Sequence, residues 1–244
     1  GMFGISLATF LLTTLAGLAA EKNYTAFRHP LRNGVGTLMF MNLIVIILLI
    51  VLAEPIIRLL FERGRFTADS TDRAALALMC LAPGLVAFST VNILARAFFA
   101  LGDTRTPMKI SLACLTLNLI LAACLVVPFK QGGIGIANTI TSIGNAGLLL
   151  FALRKKLGRL DMAPLRATLL PLAAIGVVVA LIAWQASVIW ESRLGHATLA
   201  LKIGSVFVPA MVAGLVYLLA ALWFQIPAAK DMTAFVLARF KKRH

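Results

Sequence analysis

Charge is scarce in this chain. Asp, Glu, Lys and Arg together make up 13% of its 244 residues, and only nine of them are acidic. A soluble domain carries about 25% charge on a background that is about 45–50% apolar. Here 61% of residues are hydrophobic and the mean hydropathy is +0.96, which excludes a soluble enzyme, a disordered tail and a coiled coil. Cysteine is equally sparse. Cys80, Cys114 and Cys124 are odd in number, lie in apolar runs and show no C-x-x-C or Cys/His spacing. They read as small buried hydrophobes, with no disulfide framework and no metal site. The three histidines, His29, His196 and His244, fall outside the apolar runs and have no triad partners. No P-loop, Rossmann glycine pattern or zinc motif occurs, and the nine acids are scattered. No cofactor is expected, and an enzyme is the weaker hypothesis.

What is present is positive charge on long apolar runs. Lys and Arg number 23, for a net charge of +14 and a pI near 10.7. In a soluble protein that balance would point to nucleic acid; beside membrane spans, basic loops serve orientation and anionic lipid instead. A bilayer core of about 30 Å needs about 20 apolar residues per helix. Seven stretches meet that requirement: Met2–Ala20, Gly34–Ala53, Arg73–Leu101, Met108–Val127, Gly133–Leu153, Thr168–Trp190 and Gly204–Ile226. Alternation of the barrel kind is missing, so helices are the spanning structure. The chain reads as an all-α polytopic membrane protein.

Loops alternate sides, so orientation can be counted. One face collects 15 of the 23 basic residues, among them Lys22, Arg28, Arg32, Arg105, Lys109, Arg154, Lys155 and Lys156. The positive-inside rule makes that face cytoplasmic, with the C-terminus inside and the first stretch starting outside. Gly1 opens a stretch with no basic n-region and no small-residue cleavage site, a poor signal peptide. The expectation is a chain that begins inside a longer protein. Trp184, Trp190 and Trp223 sit at span ends, where aromatic belts form. Lys230–His244 reads as an amphipathic basic tail on the anionic inner surface.

Chemistry could sit in few places. Ser89, Asn92 and Arg96 recur at i, i+3 and i+7 and share a helical face. Arg96 lies roughly 9 Å inside the cytoplasmic end. A guanidinium there needs a partner, hydration or a route to the interface. It serves either as a phosphate contact in a wet cavity or as a snorkelling Arg paired with Asp103. The turn Gly102-Asp103-Thr104-Arg105-Thr106-Pro107 follows. Thr106 is placed to cap the next helix with Pro107 at its first position, and Asp103 and Arg105 could form a loop ion pair. Gly133, Ala137, Thr141 and Asn145 make an i, i+4 row of small or polar residues, with Asn138 and Ser142 beside it. The row serves either close helix packing or a cavity wall. Asn118 is similar, but Ala122 one turn on supplies no carboxylate for a cation. Glu54 and Arg58 are spaced for an i,i+4 pair, and Pro55 should break the span, leaving Ile56–Phe61 as an interfacial turn.

These residues resemble a known family. Arg96-Ala97-Phe98-Phe99-Ala100-Leu101-Gly102-Asp103-Thr104-Arg105-Thr106-Pro107 is similar to the helix-to-loop signature of the MurJ (MviN) lipid II flippases. The opening Gly1-Met2-Phe3-Gly4-Ile5-Ser6-Leu7-Ala8-Thr9 resembles that family's eighth helix. Leu60-Phe61-Glu62-Arg63-Gly64-Arg65-Phe66-Thr67 resembles the outer loop after its ninth, and Gly133 to Asn145 with Leu153-Arg154-Lys155-Lys156 its twelfth and the basic exit. Family members have about fourteen helices, in two six-helix lobes plus two extra helices, as transporters built from repeats do.

The resemblance implies that this chain is helices eight to fourteen of a MATE-like transporter of the MOP superfamily, with an N-terminal lobe missing. Residues 1–153 would form the five-helix part of a lobe, 154–226 two further helices lining a lipid-tail groove, and 227–244 the cytoplasmic tail. It implies transport of lipid II, the undecaprenyl-pyrophosphate-linked disaccharide peptide of peptidoglycan synthesis, from the inner to the outer leaflet of the bacterial cytoplasmic membrane. Alternating access around a cationic cavity would drive it. The expected partners are lipid II, membrane lipids and the missing lobe, with no nucleic acid. The expected substrate contacts are Arg96, Asn92, Ser89, Asn138, Ser142 and Asn145, with Asp103, Thr104, Arg105, Thr106 and Pro107 as a gating loop. The rivals are a polysaccharide-lipid exporter or drug/cation antiporter of the same superfamily, and a membrane enzyme of envelope synthesis. An antiporter should carry an intramembrane carboxylate, and no segment has one at its centre.

Overall fold

The computed structural model describes residues 12–22, 24–63, 66–158, 163–195, 198–224 and 226. Among these there is no strand. The helices are α1 (residues 12–20), α2 (Tyr24–Val51), α3 (Ala53–Phe61), α4 (Ala68–Leu81), α5 (Gly84–Ala100), α6 (Arg105–Phe129), α7 (Gln131–Leu157), α8 (Ala163–Arg193) and α9 (Leu199–Trp223). Five are long and apolar enough to cross a bilayer, within α2, α6, α7, α8 and α9, and the bent pair α4–α5 makes up to six. The start of the first expected stretch and the basic tail lie outside the described residues.

Two expectations need correcting. The stretch Arg73–Leu101 is not one straight helix: α4 and α5 meet at a 42° bend after Ala82 and Pro83. Proline has no N–H to continue the ladder, and its ring displaces the carbonyl four residues back. At Pro55 the chain does not collapse into a turn. The register breaks at Leu52 (φ −102°, ψ 18°), and α3 then runs helically to Phe61 with Pro55 buried in its first turn, where a missing N–H costs nothing.

The described residues fall into two compact units, those within 1–42 and 76–163 and those within 43–75 and 164–244. The first has a core of Leu15, Phe27, Leu31, Phe40, Ile93, Leu94, Phe98, Leu149 and Leu153. Within it α6 and α7 form an antiparallel hairpin turning at Lys130, whose φ of 49° is the left-handed region. Gly133 packs so closely on the backbone of Leu125 and Val126 that a Cβ would overlap it. The outer side of α6 exposes Leu112, Leu115, Leu119 and Val127, the pattern of a lipid-facing helix. At the far end of α7, Gly158 (φ +76°) follows the last turn, and Arg28 of α2 donates to the Leu157 carbonyl. That bond satisfies a helix-end acceptor with a cation.

The second unit buries Leu52, Ala53, Leu172, Ile175, Val179, Ala183, Ala213, Tyr217 and Ala221. Gly176 of α8 lets Leu43 and Ile47 of α2 approach. Trp190 lies across Gly204 of α9 and donates its indole N–H to the Leu201 carbonyl at 3.2 Å. Small residues at such crossings let membrane helices close without a hydrophobic driving force.

Candidate functional site

Helix α5 has two faces. Ala87, Ile93, Leu94, Ala97 and Phe98 are buried, at spacings that gather them on one side. Ser89, Asn92 and Arg96 lie on the opposite side with the exposed Phe88 and Phe99. The three polar residues therefore share a face, as their spacing predicts, and that face is turned from the core of its own unit. Asn92 is exposed and donates to the Phe88 carbonyl at 3.1 Å. Arg96 is half-buried and makes no hydrogen bond or ion pair among the described residues.

The alternative partner for Arg96, Asp103, is engaged elsewhere. Its carboxylate accepts from Lys156 of α7 at 2.9 Å, from the Thr106 amide at 3.0 Å and from the Thr106 hydroxyl at 2.8 Å. These bonds, that of Lys156 foremost, hold the Asp103 carboxyl down at about 2 against an ordinary value of 3.8. The expected capping is thereby corrected. Helix α6 begins at Arg105, and Thr104 before it makes no side-chain cap. Asp103 caps the first turn while Thr106 donates, and Pro107 is the third helical residue. An anion suits that place, beside unpaired amides at the positive end of the helix dipole. Arg105 is exposed and forms no ion pair with Asp103.

Helix α7 presents its small and polar residues in two stripes. Gly133, Ala137 and Thr141 are buried against α6. Thr141 accepts from Asn118 at 2.8 Å and donates to the Ala137 carbonyl at 2.8 Å. Asn145 reaches Ser111 at 3.5 Å, while its Oδ1 is buried and without a hydrogen-bond partner. From Gly133 to Thr141 the row is a helix contact, the packing use of small residues, and Asn145 beyond it is only half-buried. Asn138, beside it, is exposed and Ser142 half-buried, and no hydrogen bond joins either to Ser89, Asn92 or Arg96 among the described residues. The second stripe, Gly132, Gly135 and Thr139, faces the α4–α5 bend.

A charged cluster in the other unit goes well beyond the expected Glu54–Arg58 pair. Arg58 bonds Glu54, Glu191 of α8 at 2.5 Å and, at 3.7 Å, Glu62. Glu62 also accepts from Lys202 of α9 at 3.2 Å and from Thr71 at 3.1 Å. Partial burial pushes the Glu62 carboxyl up, but the Lys202 and Thr71 bonds and the two cations outweigh it and leave it below its ordinary value. Glu62 stands four residues from Arg58, as Glu54 does, and the same spacing could have found it; Glu191 and Lys202 carry no local signal, because the α8–α9 hairpin brings them in. The bonds of Lys156 to Asp103 and of Arg28 to the Leu157 carbonyl are likewise remote in sequence, and spacing does not reveal them.

Comparison with known proteins places the chain. The family model for the lipid II flippase MurJ matches residues 1–223. The probable lipid II flippase MurJ of Rhizobium meliloti is 37% identical over 152 residues, 62% of this chain and 28% of its own length. That of Synechocystis is 24% identical over 231 residues, 95% of this chain and 43% of its own. A solved structure of lipid II flippase MurJ in an inward closed conformation has the same fold, with a TM-score of 0.70 at 21% identity. It covers 92% of this chain and 44% of the other. The chain thus spans less than half the length of the relatives it matches, and it belongs to the lipid II flippase MurJ family.

Proposed function

We propose that this chain is the C-terminal part of a transporter in the bacterial inner membrane. With a second lobe, it moves lipid II from the inner to the outer leaflet by alternating access. Family membership supports the substrate. The observation that carries the local reading is the α5 face: Ser89, Asn92 and Arg96 point away from the core of their unit, and the carboxylate nearest Arg96 in sequence is held by Lys156. A guanidinium held by no carboxylate can take two phosphate oxygens at once, and a bare cation in hydrocarbon would be disfavoured by at least a few kcal/mol. Both considerations favour an aqueous cavity between lobes that receives a pyrophosphate headgroup. Asn92 and Ser89 would add neutral hydrogen bonds, and Asn138, Ser142 and Asn145 a second polar wall.

Rocking of one lobe against the other would expose that cavity to each side in turn. The loop Asp103, Thr104, Arg105, Thr106 and Pro107, fastened to α7 through Lys156, would close the cytoplasmic end. Residues 1–153 would form the lobe proper, residues 154–226 would supply α8 and α9 as the groove for the polyprenyl tail, and residues 227–244 would lie in the cytoplasm. The rapid test replaces Arg96 by Ala in the complete protein, with lipid II reaching the outer leaflet as the readout. Loss of exposure at unchanged abundance supports the reading, and unaltered exposure refutes it.

A further inference from the structure

The second stripe of α7 meets the α4–α5 bend at three consecutive levels. Gly132 lies under Leu76 and Cys80, at 3.5–3.6 Å from where its Cβ would stand. Gly135 is closer still: a Cβ there would come within 2.9 Å of the Ala77 carbonyl oxygen and of the Cys80 Cβ. Thr139 then meets Gly84, the first residue of α5, whose own Cβ would fall 3.0 Å from the threonine hydroxyl and 3.2 Å from its Cα. Between these contacts the Thr139 hydroxyl donates to the carbonyl of Cys80 at 2.8 Å. In an unbroken helix that carbonyl would accept from the amide of residue 84. At a break in a membrane helix the freed carbonyl must find another donor, because water and lipid do not supply one in the hydrocarbon core.

Thr139 thus does more than fill space. Pro83 makes the break, but a proline permits a range of bend angles. The bond from a rigid neighbouring helix selects one of them. Everything C-terminal to the bend follows its direction, including the Ser89, Asn92 and Arg96 face, which begins five residues beyond Gly84. α7 is in turn anchored on its other stripe to α6 and at its end to Arg28 and Asp103, so it is a fixed reference for the bend.

We propose that Thr139 is a positioning residue: its hydroxyl bond to the Cys80 carbonyl sets the direction of α5 and so of its polar face. The consequence for transport rests on the proposed substrate role of that face, whereas the positioning itself does not. The experiment uses the complete protein in membranes, with Cys80, Cys114 and Cys124 replaced by Ala and a reporter cysteine at the exposed Phe88. Labelling by an impermeant maleimide is measured from each side of the membrane. Thr139→Val keeps the shape and removes the donor, and Thr139→Ser keeps the donor. Thr139→Val should shift the ratio of labelling from the two sides by roughly three- to fivefold, the population change carried by one interhelical hydrogen bond. It should lower transport as well, and Thr139→Ser should label and transport as the parent does.

Parental labelling in Thr139→Val overturns the proposal, as do equal shifts in the Val and Ser variants, which would make the hydroxyl irrelevant. A shift specific to Val alongside full transport by Arg96→Ala upholds the positioning while refuting the substrate role of the face. Should Thr139→Val fail to accumulate, Gly84→Ala gives the same reading, since its methyl must push the bend off Thr139. Unchanged labelling in Gly84→Ala overturns the proposal equally.

Discussion

Replacing Asp103 tests how the cytoplasmic end of the first unit is held. Its carboxylate does two jobs, pairing with Lys156 and capping α6, and two substitutions separate them. Asp103→Asn keeps an oxygen for the Thr106 amide and loses the charge; Asp103→Ala loses both. The depression from 3.8 to about 2 sets an upper bound of roughly 2–3 kcal/mol before solvent screening. Lys156 is 41% exposed, and solvent screening reduces the pair to about 1 kcal/mol or less. The cap adds about 1 kcal/mol. Asp103→Asn should therefore lower stability by about 0.5–1 kcal/mol and Asp103→Ala by about 1.5–2 kcal/mol.

The pH dependence has a definite sign. The folded-state value lies below the unfolded one, so the contribution is complete above about pH 4 and fades as pH falls through about 2. Unfolding by SDS in mixed micelles, with Lys156→Met to complete a double-mutant cycle, measures each term. Strict additivity of Asp103→Asn and Lys156→Met would refute the ion pair, and equal losses in the Asn and Ala variants would refute the cap.

Two further outcomes follow from the second unit. Arg58, 11% exposed among Glu54, Glu62 and Glu191, should cost about 2–3 kcal/mol in the same titration when changed to Ala, since carboxylates lose their shared cation; a loss under 0.5 kcal/mol, the size of an exposed pair, would contradict that. Gly204→Ala drives a methyl into the Trp190 ring and should destabilise by about 1–3 kcal/mol. Trp190→Phe in that background, a smaller ring, should recover part of the loss, and no loss in Gly204→Ala alone would show that the crossing is looser than described.

Much of the fold was legible because a bilayer restricts it. Apolar length alone located the long helices, and the i, i+4 row from Gly133 to Asn145 allowed either close packing or a cavity wall, of which its Gly133–Thr141 part packs on α6. The bend at Pro83 was not read, because the apolar run continues on both sides of the proline and apolar length locates a span without giving its direction. The second stripe on α7 was hidden for a related reason: small residues crowd that helix, and spacing alone could not divide them between two partners. In the loop, Asp103 and Thr106 are both capping residues, and only the true start of α6 at Arg105 decides between them. Remote charges resisted sequence reading altogether. Lys156 finds Asp103, and Glu191 and Lys202 find Arg58 and Glu62, through tertiary packing that no local spacing encodes. The shared face of Ser89, Asn92 and Arg96 was legible because helical periodicity fixes it before any packing does.

The central claim is that Arg96 meets the pyrophosphate of the lipid-linked precursor. Its most direct measurement is the rate at which lipid II reaches the outer leaflet in cells that depend on the complete protein, compared for the parent, Arg96→Lys and Arg96→Ala at equal membrane abundance. Charge-assisted hydrogen bonds of about 1.5–3 kcal/mol predict roughly a 10- to 100-fold fall for Ala. Lys, a point charge without the guanidinium fork, should fall in between. Parental rates in both variants would contradict the account.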